Sequence, residues 1–408
     1  MPRLLLLTQY FPPEMGAPQV RLSELGERLI DAGWQVEALT ALPNYPTGRV
    51  FDGYDRRRPV VEQIGRIRAV RVPLWPSKTG FAKRLVTYCS FAAAAMAWGP
   101  GLCARPDLIL VESPPLFIGV AARWLAWRWR CPYVFNVSDL WPESALRMGV
   151  VGPGLAYQLA ERLELALYRG SAGVTGQSEE IVASVKRRAP GVPTEVVTNG
   201  VDPSRFGPGR ADAAARALLG DGPGPVFLFA GLLGHAQGLS QVLDLAAALP
   251  PEVPGRFVLV GDGPEREALA ARIEHDGLGA RVRLVGAQPR ERVPALLACA
   301  DAAVITLGMS IPGAVPSKIY EAMASSLPIL LVADGEPARR VEAAGCGIAV
   351  APGDAAGAMA AFRRLAEDGA LRARLGAAGR RAAETTYDRT RIAVRLESFL
   401  SAAVEGAR

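Results

Sequence analysis

Ser317, Lys318 and Glu321 are the residues whose types and spacing say most about chemistry. They lie in the segment Val315-Pro316-Ser317-Lys318-Ile319-Tyr320-Glu321-Ala322-Met323-Ala324. Pro316 has no N–H and keeps Val315 extended, so a helix can begin only after it. Ser317 is a good N-cap, and the open N–H groups beyond it point toward any bound anion. Lys318 brings a full charge to the same end. Glu321 follows Lys318 by three residues and Ser317 by four, so all three share one helix face. Ile319 and Met323 form another face, suited to packing. A phosphate at the helix end and a sugar hydroxyl on Glu321 together describe a nucleotide diphosphate with its ribose.

Other loops carry candidate contacts. Gln9-Tyr10-Phe11-Pro12-Pro13-Glu14-Met15-Gly16-Ala17-Pro18 follows a first apolar strand, and Gly16 either lets backbone approach a ligand or makes a tight turn. In the second half, Ala230-Gly231-Leu232-Leu233-Gly234-His235-Ala236-Gln237-Gly238 joins a strand to a helix. It reads as a phosphate or sugar contact at a switch point, or as a Gly-rich turn with an exposed histidine. Gly261-Asp262-Gly263-Pro264-Glu265-Arg266 reads as the start of a helix, with Glu265 on its dipole. Asp139, in Val137-Ser138-Asp139-Leu140-Trp141-Pro142-Glu143, follows a strand end. It suits the handling of an acceptor hydroxyl, or an Asx turn or helix cap. Glu143 reads as a cap or salt-bridge partner.

Absences narrow the chemistry. Neither a Gly-x-Gly-x-x-Gly fingerprint nor a P-loop occurs, which disfavours dinucleotide and P-loop sites. No Asp-x-Asp is available to clamp a metal diphosphate, and two histidines exclude a His-rich metal site. The net charge of +6 is spread over 408 residues, which is not the footprint of a nucleic-acid binder. The five cysteines form no Cys-x-x-Cys and read as reduced core thiols. The apolar start is too short for a signal peptide, and no run is read as reaching a membrane span, so a cytoplasmic protein is expected. Phe81–Tyr88 and Arg123–Arg130 mix aromatic and basic residues. They suit a membrane surface or lipid acceptor, or helices that pack on a sheet with snorkelling arginines.

The elements that must position these residues alternate strand, loop and helix throughout. Seven strand candidates run from Leu4–Leu7 to Glu195–Val197, and six from Val226–Phe229 to Ile348–Val350. Short apolar strands between longer amphipathic helices predict parallel sheets covered on both faces. Asn199-Gly200-Val201-Asp202-Pro203 and the Gly/Pro/Ala-rich stretch to Pro225 mark the expected hinge. The tail from Leu371 to Val404 reads as helical. An α/β architecture of two Rossmann-like doubly wound domains facing across a cleft follows, with domains at 1–202 and 203–385.

Phe11–Ala17, Asp139–Ser144, Thr198–Asp202, Gly261–Pro264 and Pro316–Ala324, in this order and spacing, resemble glycosyltransferase family 4, the retaining transferases of GT-B fold. With Gly234–Gly238 they are similar to transferases of bacterial O-antigen and capsule assembly, including N-acetyl-L-fucosamine transferases. The resemblance implies a nucleotide sugar, most often UDP-linked, on the second domain, and no metal or other cofactor. It implies Glu321 on the ribose, and Ser317, Lys318, Gly234, His235 and Gln237 around the diphosphate. Gly16 would close over the donor from the first domain, and the last helix, 386–408, would pack back on that domain. Asp139 and Arg21 are assigned to the acceptor side, for a glycan or lipid-linked acceptor. Lys318 and Asp139 are the expected catalytic groups. The family's glutamate pair would need Glu at Gly313, a donor-side position, and its basic pair falls on Leu232 and Gln237. Lys318 and His235 are candidates for the missing charge. A nucleotide-sugar 2-epimerase and a non-catalytic nucleotide-sugar-binding subunit are the alternatives.

Overall fold

Aliphatic runs such as Leu4–Leu7, Leu108–Val111 and Ile329–Val332 are too short for helices and carry too few polar residues for exposed strands. In a computed structural model, each is a strand buried on both faces. The structure describes residues 1–14, 16–77 and 80–407, without the side chains of Phe81 and Ala82. Met15 of the first loop and the aromatic start of the Phe81–Tyr88 segment thus lie outside the described residues. The chain divides into two units. The first is Met1–Asn199, Pro312–Ala314 and Arg389–Arg408; the second is Gly200–Ile311 and Val315–Asp388.

The first unit opens with β1 (Arg3–Leu7), α1 (Ala17–Asp31), β2 (Gln35–Ala41), β3 (Val60–Ile64), β4 (Ile67–Val72), α2 (Phe81–Leu102) and β5 (Leu108–Ser113). It continues with α3 (Ile118–Trp129), β6 (Tyr133–Val137), α4 (Glu143–Arg147), α5 (Leu155–Arg169), β7 (Gly173–Gly176), α6 (Glu179–Arg188) and β8 (Thr194–Val196). The strands form one sheet in the order β3-β4-β2-β1-β5-β6-β7-β8. All pair in parallel except β3, which is antiparallel to β4. The sequence reading missed β3 because Glu62 and Gln63 are adjacent and break both the apolar run and any apolar–polar alternation; as an edge strand it is only half-buried on alternate residues. One face of the sheet is covered by α2, α3, α5 and α6. The other is covered by α1 and the last helix.

The second unit holds α7 (Ala213–Leu219), β9 (Val226–Ala230), α8 (Ser240–Ala248), β10 (Arg256–Val260), α9 (Arg266–His275), β11 (Val282–Val285) and α10 (Val293–Ala298). Then follow β12 (Ala302–Thr306), α11 (Ser317–Ala324), β13 (Ile329–Val332), α12 (Gly335–Ala344), β14 (Gly347–Val350), α13 (Ala355–Glu367) and α14 (Gly369–Thr385). α15 (Arg389–Glu405) ends the chain. The six strands are all parallel, in the order β11-β10-β9-β12-β13-β14.

Several expectations need correction. The Gly/Pro/Ala-rich stretch expected as part of the hinge contains α7, whose first turn is capped by Asp212 accepting from the Ala215 N–H at 2.7 Å. The helical tail is two helices. Between them Asp388 bridges to Val201, whose N–H donates to Tyr387 O at 2.9 Å, so this backbone pairs outside the helix. α15 then belongs to the first unit, burying Ile392, Leu396, Leu400 and Val404. Its Arg389 Nε donates to Asn199 O at 3.0 Å. Among the described residues, one helix, Lys83–Leu102, is long and apolar enough to cross a membrane, by length and composition only. Its alanines and lack of charge after Arg84 raise the average without a continuous aliphatic run. Cys103 and Cys346 are buried thiols, but Cys89 is exposed on α2 and is no core residue.

Candidate active site

α11 starts one residue earlier than a serine cap requires. Pro316, extended at φ −60° and ψ 132°, is the N-cap, and Ser317 is the first helical residue with no capping side chain. The expected serine cap is thereby corrected: proline already turns the chain into the helix. Ile319 N–H returns to Pro316 O at 3.1 Å, leaving the Ser317 and Lys318 amides to head the helix. Ile319, Tyr320 and Met323 are fully buried. Tyr320 accepts at its hydroxyl from Arg340, which also pairs with Glu336. Tyr320 and Tyr387 meet at a tilt, ring centroids 5.0 Å apart, and the Arg340 guanidinium beside the pair lies 5.8 and 5.5 Å from those centroids. This buried cluster fixes the roll of α11, so Ser317, Lys318 and Glu321 stay half-buried together.

Lys318 Nζ lies 5.0 Å from the centroid of Phe229, at the end of β9. Beside it is Gly231, where an added Cβ would lie 2.4 Å from Lys318 Cε and 2.8 Å from Nζ. The helix start and the first glycine of the second-half loop are thus one constellation. Burial pulls the Lys318 ammonium below its ordinary value, and Glu321 partly offsets this. An anion placed here would supply the charge that water no longer does.

The loop Gly231–Gly238 interlocks with Gly261–Glu265. Gly231 N–H donates to Val260 O at 2.9 Å, and Leu233 N–H to Asp262 O at 2.9 Å. A Cβ on Gly261, at φ +154°, would fall 1.8 Å from Gly231 O. The turn His235–Gln237 is held by Thr306 Oγ1 donating to Gln237 O at 2.6 Å and Gly308 N–H to Ala236 O at 2.9 Å. Gly234 is buried beside the Gln237 side chain, whose Oε1 is 3.2 Å from where a Cβ would stand. His235 is 81% exposed, with Nδ1 2.7 Å from Glu265 Oε1. His235 thus sits at the surface against a carboxylate, and Lys318 is the better-placed cation.

In the first unit, Asp139 lies just past β6. Its Oδ1 is buried without a hydrogen-bond partner. Burial raises its carboxyl above the ordinary range, against the Ser144 hydroxyl and the Leu140 N–H. Glu143 pairs with Arg147 at 3.0 Å within α4. Arg21 is not free for an acceptor. It is fully buried, 2.6 Å from Glu112 Oε2, and its Nη2 donates to Ser138 Oγ at 3.2 Å. Asn136 donates to the same Glu112 oxygen at 2.6 Å and accepts from Thr175 at 2.6 Å. This network ties together the carboxyl ends of β5, β6 and β7. Gly16 caps α1 in extended conformation, φ 176°. Gly313, at φ +73°, belongs to the first unit, where a Cβ would lie 2.5 Å from Ile181 Cγ1 and 2.7 Å from Ser178 Oγ. A glutamate has no room there, so its absence is enforced by packing.

The comparisons agree on one kind of protein. The model for "Glycosyl transferase 4-like domain" matches residues 16–200, and that for "Glycosyl transferases group 1" matches residues 212–382. The chain belongs to the glycosyltransferases of this group. It is thus an enzyme that transfers a glycosyl group from a nucleotide sugar. The chain is 29% identical over 328 residues to a putative colanic acid biosynthesis glycosyl transferase, WcaI, of Escherichia coli, covering 77% of this chain and 79% of that protein. It is 28% identical to the probable glycosyltransferase WbjE of Pseudomonas aeruginosa, over 61% of each chain. Among solved structures, sucrose-phosphate synthase from Thermosynechococcus elongatus is similar over 100% of both chains, with TM-score 0.78 and 22% identity. HepE of Anabaena in complex with UDP is similar over 98% of this chain and 100% of that one, with TM-score 0.72 and 18% identity. These two likenesses establish the GT-B fold of the glycosyltransferase.

Sequence reasoning missed three supporting residues. Phe229 was read only as strand, yet its ring carries Lys318. Glu265 was read as a dipole partner, yet it holds His235. Glu14 carries no role in the sequence reading. Its buried carboxylate accepts from the N–H groups of Phe11 at 3.1 Å and of Asn44 and Tyr45 at 2.8 Å. A glutamate beside Pro12-Pro13 in an otherwise apolar loop was the available signal.

Proposed function

We propose that this glycosyltransferase takes a UDP-linked sugar on residues 203–385 and transfers it, with retained anomeric configuration, to a hydroxyl of a glycan or lipid-linked acceptor on residues 1–202, in assembly of a cell-surface polysaccharide. The observation that carries this reading is Lys318, partly stripped of water and lying against Gly231 and Phe229 at the start of α11. The diphosphate would meet Lys318, the Ser317 and Lys318 amides and the Gly231–Gly238 loop; Glu321 would accept from the ribose hydroxyls. Similarity to a colanic acid transferase supports the polysaccharide assignment, and similarity to a UDP complex supports the base.

In the reaction, the bond from the anomeric carbon to the diphosphate oxygen breaks as the acceptor oxygen bonds to the same face of that carbon. The acceptor proton passes to the departing diphosphate. Lys318 stabilises the charge that develops there. Asp139 holds the acceptor hydroxyl. A thermal-stabilisation screen of UDP, GDP and dTDP sugars tests the donor, N-acetylhexosamine donors first. UDP sugars should stabilise the chain and the others should not. Glu321→Ala should weaken UDP binding about tenfold by losing a charge-assisted hydrogen bond; unchanged affinity removes Glu321 from the site. Nucleotide-sugar turnover without acceptor would favour an epimerase instead, and binding without UDP release under any acceptor a non-catalytic subunit.

A further inference from the structure

The outer layer of the first unit carries a surface to which the proposed function assigns no residue. α2 and α3 pack against each other over the core formed by Phe91, Ala95, Ala122 and Leu125. A helix in such a layer normally turns charged residues to water. Beyond its first turn α2 does not: no charged residue occurs from Leu85 to Leu102, and only 28% of its apolar 18-residue stretch is buried. Val86, Cys89, Ala93, Ala97 and Trp98 are all exposed there. α3 extends the surface with Trp124, 37% exposed, and Trp127, 72% exposed. Two residues further on, Trp129 is 6% exposed, so the same helix buries one tryptophan and presents two.

The charges on this surface have one sign. Lys83, Arg84, Arg123 and Arg128 are exposed, Arg130 follows at the end of α3, and neither helix contains an Asp or Glu. Tryptophans with flanking arginines and lysines suit the boundary between hydrocarbon and anionic headgroups. We propose that the α2–α3 face of the first unit docks the enzyme on an anionic lipid bilayer, lying in the interface without crossing it. A second copy of the chain fits less well, because a two-fold contact would set these cations against themselves. The inference rests on this face alone and stands apart from the assignment of the donor site.

The test is flotation of the full chain with phosphatidylcholine vesicles and with vesicles enriched in phosphatidylglycerol. The chain should float with the anionic vesicles, about tenfold less with the neutral ones, and less again as salt rises. Trp124→Ser with Trp127→Ser, and separately Arg123→Gln with Arg128→Gln, should each lower the bound fraction severalfold while circular dichroism and melting temperature stay unchanged. Failure to float with anionic vesicles overturns the proposal. So does equal flotation of the parent and both well-folded variants, or a lipid-free dimer in sedimentation that the tryptophan pair of substitutions dissolves.

Discussion

A lysine lying over the Phe229 ring, with Gly231 against its stem, has lost much of its water before any ligand arrives. Its proton is therefore held less tightly than in an exposed lysine, whose reference value is 10.5. A bound diphosphate raises the affinity for that proton again, so binding takes up a proton between the two values. UDP affinity should be full below this window and fall by up to about tenfold per pH unit through it. Calorimetric titrations at rising alkaline pH should show the decline before that of an ordinary lysine, and Lys318→Ala should be weak and flat. A variant profile that slopes like the parent would separate Lys318 from the phosphates. Asp139 presents the opposite sign. Its carboxyl is raised by burial, so ionisation costs the folded state stability as pH rises through its folded value. Asp139→Asn should raise the melting temperature more at pH 8 than at pH 4 (about the unperturbed carboxyl value) while lowering transfer. Equal shifts at both would show that the buried carboxyl carries no such cost.

At the scale of elements, the donor region is made by loops that touch through glycine. Gly261 stands where a Cβ would overlap Gly231 O, a backbone atom that cannot swing away, and its φ of +154° is itself unfavourable for other residues. Gly261→Ala should cost roughly 3 kcal/mol or more through strain and displacement of the Gly231 loop. Denaturant melts should show the loss, with weakened UDP binding. A neutral substitution would mean that the two loops separate freely. α11 shows how little of a helix its own sequence positions. Pro316 fixes where it begins, but its roll is set by Arg340 and Glu336, far along the chain.

At the scale of the whole chain, each unit has its own sheet and its own cores, so each can unfold by itself. α15 complicates this order, since the last residues complete the first unit. Ending the chain before Arg389 removes Ile392, Leu396, Leu400 and Val404 from that core. At about 1.5–3 kcal/mol for each aliphatic side chain, the loss rivals the whole stability of a domain. Calorimetry should then show the first unit's transition lost, with the second unit's retained and still raised by UDP. A truncated chain that keeps the full two-transition profile would show α15 to be dispensable.

The sequence by itself determined what depends on neighbours along the chain. Strand runs such as Ile329–Val332, the Pro316 start of α11, and the order of the glycine-bearing loops were all readable, because period, proline geometry and turn chemistry act over a few residues. The same local signals carried the resemblance that the family matches made definite. Only the tertiary structure decided that Gly313 packs on Ile181, that Arg21 is consumed by Glu112, and that Lys318 rests on Phe229. Burial and pairing between residues so far apart along the chain leave no periodic trace, since each is set by where two distant segments meet.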